Sequence, residues 1–185
     1  MRRTICLLGL WLALSVGAFA QGEAKQSGYA GEVQREIKSL SAEEVKGLMN
    51  GDGMGLALAA ELNHYPGPRH VVELVAELQL TPEQHLRARG VSAQMRRAAM
   101  SLGQRIVQRE RELDAMFVKG DVDADRLRAA TAEIARLQGE LRAVHLVAHL
   151  EMRRLLTPEQ IEKYDQLRGY ATGQKAGGQH GHGKH

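Results

Sequence analysis

Residues 80–119 read LTPEQHLRARGVSAQMRRAAMSLGQRIVQRERELDAMFVK, and this stretch decides the fold. Thr81 is placed to cap a helix. Pro82 falls at the first helical position, where its missing N–H costs nothing, and Gln84 can reach back to close a capping box. Beyond this start, Val91, Met95, Ala98, Leu102, Ile106, Arg109, Leu113 and Met116 recur at spacings of three and four, a nearly continuous seam on one helical face. Lys119-Gly120-Asp121-Val122-Asp123 ends the helix, with Gly120 suited to a left-handed C-terminal position. A second seam follows through Leu127, Ala130, Ile134, Leu137, Leu141, Val144, Ala148, Met152 and Leu155. Two long helices joined by a short turn make an antiparallel hairpin.

Shorter helices are expected on both sides. Downstream, Thr157-Pro158-Glu159-Gln160 repeats the start signal and opens a last helix to about Tyr170, with Thr157 and Gln160 in the capping roles of Thr81 and Gln84. Upstream, Leu40-Ser41-Ala42-Glu43-Glu44-Val45 is a capping box inside a hydrophobic staple, and its helix should stop at Asn50-Gly51-Asp52-Gly53. Short helices are then expected over Gly55–Asn63 and Arg69–Gln79, separated by Tyr65-Pro66-Gly67-Pro68. Long apolar/polar alternation is absent, so the fold class is all-α: a long antiparallel helical hairpin with shorter N- and C-terminal helices.

The ends are of a different kind. Arg2 and Arg3, the apolar run Ile5–Ala18 and the small-x-small site Ala18-Phe19-Ala20 make residues 1–20 a signal peptide cleaved after Ala20. The competing reading, an uncleaved anchor, needs ~20 apolar residues to cross a bilayer, more than the run provides. Residues 21–31 read as a flexible lead-in, 32–171 as the helical domain, and 172–185 as a disordered Gly/His-rich tail. Cleavage removes Cys6 and Trp11, so the mature chain has no thiol and no disulfide, and its fold rests on helix packing. It also removes two arginines and no acid, lowering the net charge from +3 to +1. That balance does not call for nucleic acid. The aromatics left, Tyr29, Tyr65, Phe117, Tyr164 and Tyr170, are too few for a base- or sugar-stacking platform. The expected location is the periplasm, with no membrane span after cleavage.

An exported, cysteine-free helical hairpin carrying LTPEQ twice, at Leu80–Gln84 and Leu156–Gln160, resembles the Spy/CpxP superfamily with its LTxxQ boxes. The resemblance covers Leu74 to about Tyr170. It implies a periplasmic stress protein: either an ATP-independent chaperone, or a member of the heavy-metal-resistance branch of CnrX-like sensors and ZraP-like zinc-associated proteins. The boxes themselves are also sufficiently explained as helix caps.

Three features could carry function. His145 and His149 stand at i and i+4 on the second long helix with Met152 three further on, all within about 60° of arc. Such a pair can offer two imidazoles to zinc, nickel, cobalt or copper, whereas calcium and magnesium prefer oxygen. In CnrX-like relatives the resemblance implies a histidine and a methionine in this region. Further ligands would come from His64, His70, His85, Glu151 or a second subunit; interfacial packing or simple exposure is the competing reading. The tail holds His180, His182 and His185, which resemble a ZraP-like His-rich terminus able to wrap a metal ion. Finally, Arg96 and Arg97 with Met95 and Met100 could form a basic, adaptable surface for non-native envelope proteins, or the arginines could line a solvated face paired with Glu110 and Glu112. No nucleophile motif, phosphate-cradling loop or His-Glu-x-x-His is present, so no enzyme and no organic cofactor is expected. A homodimer is expected because Val107, Phe117 and Leu146 lie off the main stripe. Docking to a membrane-bound sensor is a further expectation.

Overall fold

The computed structural model describes residues 27–171; the leader, its cleavage site, residues 21–26 and His180, His182 and His185 lie outside the described residues. Contacts divide the chain after Val33. The described part of the first unit holds one 3-10 turn, Ala30–Glu32.

Between Ala42 and Arg168 the chain forms the helices α1 (Ala42–Asn50), α2 (Leu58–Glu61), α3 (Pro68–Glu73), α4 (Pro82–Lys119), α5 (Ala124–Leu155) and α6 (Pro158–Arg168). No strand occurs among the described residues, and none of their helices is long and apolar enough to cross a membrane. The antiparallel pair α4 and α5 is the frame. Gly120 closes α4 in the left-handed region at φ 66°, its N–H reaching back to Met116 and Phe117 carbonyls, and Asp123 caps α5 by accepting from Asp125 and Arg126 N–H at 2.9 Å.

Several boundaries and facings differ from the sequence expectation. The helix expected over Gly55–Asn63 shrinks to Leu58–Glu61, because Met54 (φ 41°) and Gly55 (φ 77°) are left-handed and His64 (φ 67°) turns the chain again. The helix expected over Arg69–Gln79 begins at Pro68 and ends at Glu73; a turn closed by Leu80 N–H on the Val75 carbonyl, with Gln79 at φ 50°, replaces its second half. The α4 seam passes beside Arg109, which is exposed and bonded to Glu112 at 2.6 Å, through Glu110, buried and accepting from Ser39 Oγ at 2.7 Å. Val107 is buried in the fold itself, so of the three residues expected to demand a partner only Phe117 is largely exposed.

The apolar core is in two parts. One gathers Ile37, Leu48, Ile106, Leu137 and Leu141, where α1 lies across the hairpin. Gly103 permits this crossing: a Cβ there would stand 2.0 Å from the Leu48 carbonyl oxygen. The other gathers Val71, Leu78, Met152, Ile161 and Tyr164 around the α5–α6 corner.

The two LTPEQ boxes meet at that corner. Each is a complete capping box, with Thr81 accepting from Gln84 N–H and Thr157 from Gln160 N–H, while each glutamine Oε1 accepts from its own threonine N–H at 3.0 Å. Gln84 Nε2 also donates to Gln160 Oε1 (2.9 Å), and Gln160 Nε2 donates back to Gln84 Oε1 (3.1 Å). The same amide nitrogens reach the carbonyls of Leu155 and Leu78. One reciprocal amide pair thus ties the starts of α4 and α6 together and leaves no half-buried amide unsatisfied.

Candidate functional site

His145 and His149 lie on the inner face of α5, buried to 2% and 6% exposure. Above them the chain makes two sharp returns. Gly51 ends α1 at φ 68°, where a Cβ would meet the Arg96 carbonyl at 2.9 Å and Met100 Cγ at 3.0 Å, so the end of α1 sits directly on α4. Arg96 Nε secures it by donating to the Asn50 carbonyl (3.3 Å). The second return, Tyr65–Pro68, starts α3 with Pro68 at its first turn. Between these returns and the hairpin lies a cavity of about 500 Å³ lined by Asp52, Arg69, Ser92, Met95, Arg96, His145 and His149, among others.

The two imidazoles are held differently. His149 Nδ1 lies 2.8 Å from the Tyr65 carbonyl oxygen. A carbonyl only accepts, so Nδ1 carries a proton and the lone pair of the neutral ring belongs to Nε2. This is the arrangement by which metal-binding histidines are commonly oriented. Glu61 Oε2 stands 3.6 Å from the same Nδ1. Its other oxygen accepts a 2.5 Å hydrogen bond from the fully buried Tyr164 hydroxyl, which in turn accepts from Gly67 N–H (3.1 Å). Burial first, and then the bond to Glu61, raises the Tyr164 pKa, so the phenol stays a donor. Packing around Gly67 is close: a Cβ would lie 2.8 Å from Glu61 Oε2 and 3.3 Å from His149 Cε1. His145 has no such partner. Its Nε2 is buried and makes no hydrogen bond, and burial, with repulsion from His149, lowers its pKa below the ordinary value. His145 therefore has one orphaned buried nitrogen beside a second ring whose Nδ1 is occupied.

The structure separates other residues the sequence had grouped. Met152 is fully buried in the α5–α6 core cluster and does not line the cavity; the thioether that does is Met95, from α4. His64 pairs with Asp165 at 2.7 Å, and His70 with Glu73 at 2.9 Å. Among the described residues, no group of three or more His, Cys, Asp and Glu side chains is placed to hold one ion. Arg97 is exposed, while Arg96 is committed to Asn50 and Met100 sits against Gly51. Arg111 bonds to Glu36 (2.9 Å), so the arginines of α4 are partly paired across to other segments. Asp52 and the Tyr65 carbonyl carried no sequence signal: each faces the site only because a turn places it there.

The model of the heavy-metal resistance family matches residues 53–163, more than half of the chain. The chain belongs to the heavy-metal resistance family. The matched stretch contains α2 through most of α6, both LTPEQ boxes, Met95, His145 and His149. No curated protein and no solved structure matches this member of the heavy-metal resistance family.

Proposed function

We propose that this chain is a periplasmic metal-binding protein that buffers or reports a heavy-metal ion by binding it at His145 and His149, without catalysis. The observation that carries the reading is the orphaned buried Nε2 of His145 next to His149, whose Nδ1 is occupied by the Tyr65 carbonyl. Both rings stand inside the family match. A bound ion would supply the positive centre that these two nitrogens lack. Because the rings sit under segments 51–57 and 67–69, its charge would be felt by α1, α3 and the hairpin together. Titration of the mature protein with zinc, nickel, cobalt and copper, followed by imidazole-ring NMR, tests it. His145 and His149 resonances should shift with at least one ion; rings silent to all four ions overturn the reading. Periplasmic location is tested by cell fractionation and by N-terminal sequencing, which should begin at Gln21.

A second reading is favoured by a different observation. Val91, Met95, Ala98, Val144 and Val147 line an apolar groove of about 270 Å³ between α4 and α5, and Val91 and Glu151 also border a neighbouring hollow with Arg87 and Arg154. An apolar strip edged with guanidinium groups suits a holdase for non-native envelope proteins. Such protection should fall with salt, as the Debye length shrinks from ~10 Å at 0.1 M to ~3 Å at 1 M. Aggregation assays on a reduced, unfolded substrate check this, with Arg96→Glu/Arg97→Glu expected to weaken protection. Salt-independent protection, or none, removes the holdase reading.

A further inference from the structure

We propose that the cavity under residues 51–57 is a site for a soft monovalent d10 cation, Cu(I) or Ag(I), held by the His145 and His149 imidazoles together with the Met95 thioether. The proposal rests on the metal-binding reading and specifies which class of ion that site takes. Two observations select it.

The first is the donor inventory. A structural zinc ion takes four nitrogen, sulfur or carboxylate ligands, and nickel and cobalt accept as many or more. Among the described residues no group of three His, Cys, Asp or Glu side chains is placed to hold one ion: Asp52 lines the cavity without completing such a set, and Glu61 faces the Nδ1 of His149, the nitrogen turned to the Tyr65 carbonyl. Cu(I) and Ag(I) are satisfied by two or three soft donors, and thioether sulfur is among those that select Cu(I). Met95 supplies one from α4, across the cavity from the histidines on α5. Met152, their neighbour in sequence, is enclosed in the other core.

The second is orientation. The buried Nε2 of His145 has no hydrogen-bond partner in the fold. The Tyr65 carbonyl holds His149 in the tautomer whose lone pair is on Nε2.

The test uses the full mature chain and Ag(I) nitrate as a redox-inert probe, with Cu(I) under anaerobic reducing conditions as the second ion. Imidazole-ring and methionine-methyl NMR separate the cavity from the tail. Equimolar Ag(I) should shift the His145 and His149 rings and the Met95 methyl, and a tenfold excess of Zn(II) should not reverse this. Met95→Leu, close in volume, should leave the metal-free melting temperature within a few degrees while weakening Ag(I) at these rings by about tenfold or more. The soft-cation assignment is overturned if Zn(II) or Ni(II) displaces Ag(I) from the rings, or if Met95→Leu binds Ag(I) as well as the parent. In either case the metal-binding reading survives. If no ion, soft or divalent, moves the two rings, both readings fall.

Discussion

His145 combines a helix position legible in the sequence with a protonation state set by what lies above it. Burial chiefly, and the unfavourable proximity of a second imidazole, His149, lower its pKa from the ordinary 6.5. In the window between the lowered folded value and about 6.5, the unfolded chain binds a proton that the folded chain refuses. The His145 contribution is therefore complete above about pH 6.5 and is lost as pH falls toward the folded value. His145→Phe should flatten the pH dependence of unfolding free energy across this window, measured by urea melts; an unchanged slope would show that other groups set it. Gly67 makes a second residue-scale case. Its N–H holds Tyr164, and a Cβ would press within 2.8 Å of Glu61 Oε2. Gly67→Ala should destabilise by about 1–3 kcal/mol through displacement of a buried hydrogen-bonded carboxylate. It should also broaden the His149 ring resonances in the metal-free protein. The i, i+4 spacing of the two histidines was readable from the chain. Their burial, the tautomer of His149 and the substitution of Met95 for Met152 at the site were not, because each depends on residues 50 to 90 positions away in sequence.

Among the elements, the capping boxes were fully legible and their mutual docking was not. Thr81, Gln84, Thr157 and Gln160 satisfy helix N-termini by local hydrogen bonds, which depend only on residues three apart. The Gln84–Gln160 pair bridges 76 positions and requires the hairpin to bring two helix starts together. Gln84→Ala and Gln160→Ala should each cost about 1–3 kcal/mol, since each breaks a box and strands a partner amide. The double variant should cost less than the sum by about 0.5–3 kcal/mol, the coupling of the amide pair. Strict additivity in a denaturant double-mutant cycle would reduce the boxes to independent caps. The crossing of α1 over α4 is a tighter constraint: with a Cβ 2.0 Å from the Leu48 carbonyl, Gly103→Ala must push α1 off the hairpin. Its expected cost, a few kcal/mol by thermal or urea melting, is the reverse of the small gain that Gly→Ala gives at an open helix site such as Gly139.

For the whole molecule, two sets of histidines can be told apart by their coupling to folding. A site on α5 exists only in the folded chain, so an ion bound there should raise stability by RT ln(1 + [L]/Kd), about 2.7 kcal/mol at a hundredfold excess over Kd. Binding at His180, His182 and His185 that is not coupled to folding would leave the melting temperature nearly unchanged. Removing Gln179–His185 is expected to lower the metal stoichiometry and spare the thermal shift, while His145→Ala or His149→Ala does the reverse; calorimetric titration paired with melting curves reads both. A thermal shift lost with the tail would place the stabilising site there instead. Self-association is expected from the apolar side chains left outside the cores, Phe117 at 58% and Val147 at 49% exposure among them, and a monomer by light scattering at tens of micromolar would remove it.

The sequence by itself determined the helices, because capping, proline placement and the three-four periodicity act within one or two turns. It determined the hairpin, because a four-residue turn leaves two long seams no other neighbour so near. It did not determine where α2 and α3 stop, since the left-handed residues Met54 and Gln79 are of types that seldom adopt positive φ and carry no local signal for it, and His64 adopts it without the glycine that would announce a turn. Nor did it determine the candidate site. The cavity exists because α1 ends against α4 and the Tyr65–Pro68 turn closes over α5, and which donors face one another across that space follows from the tertiary arrangement of four separate segments.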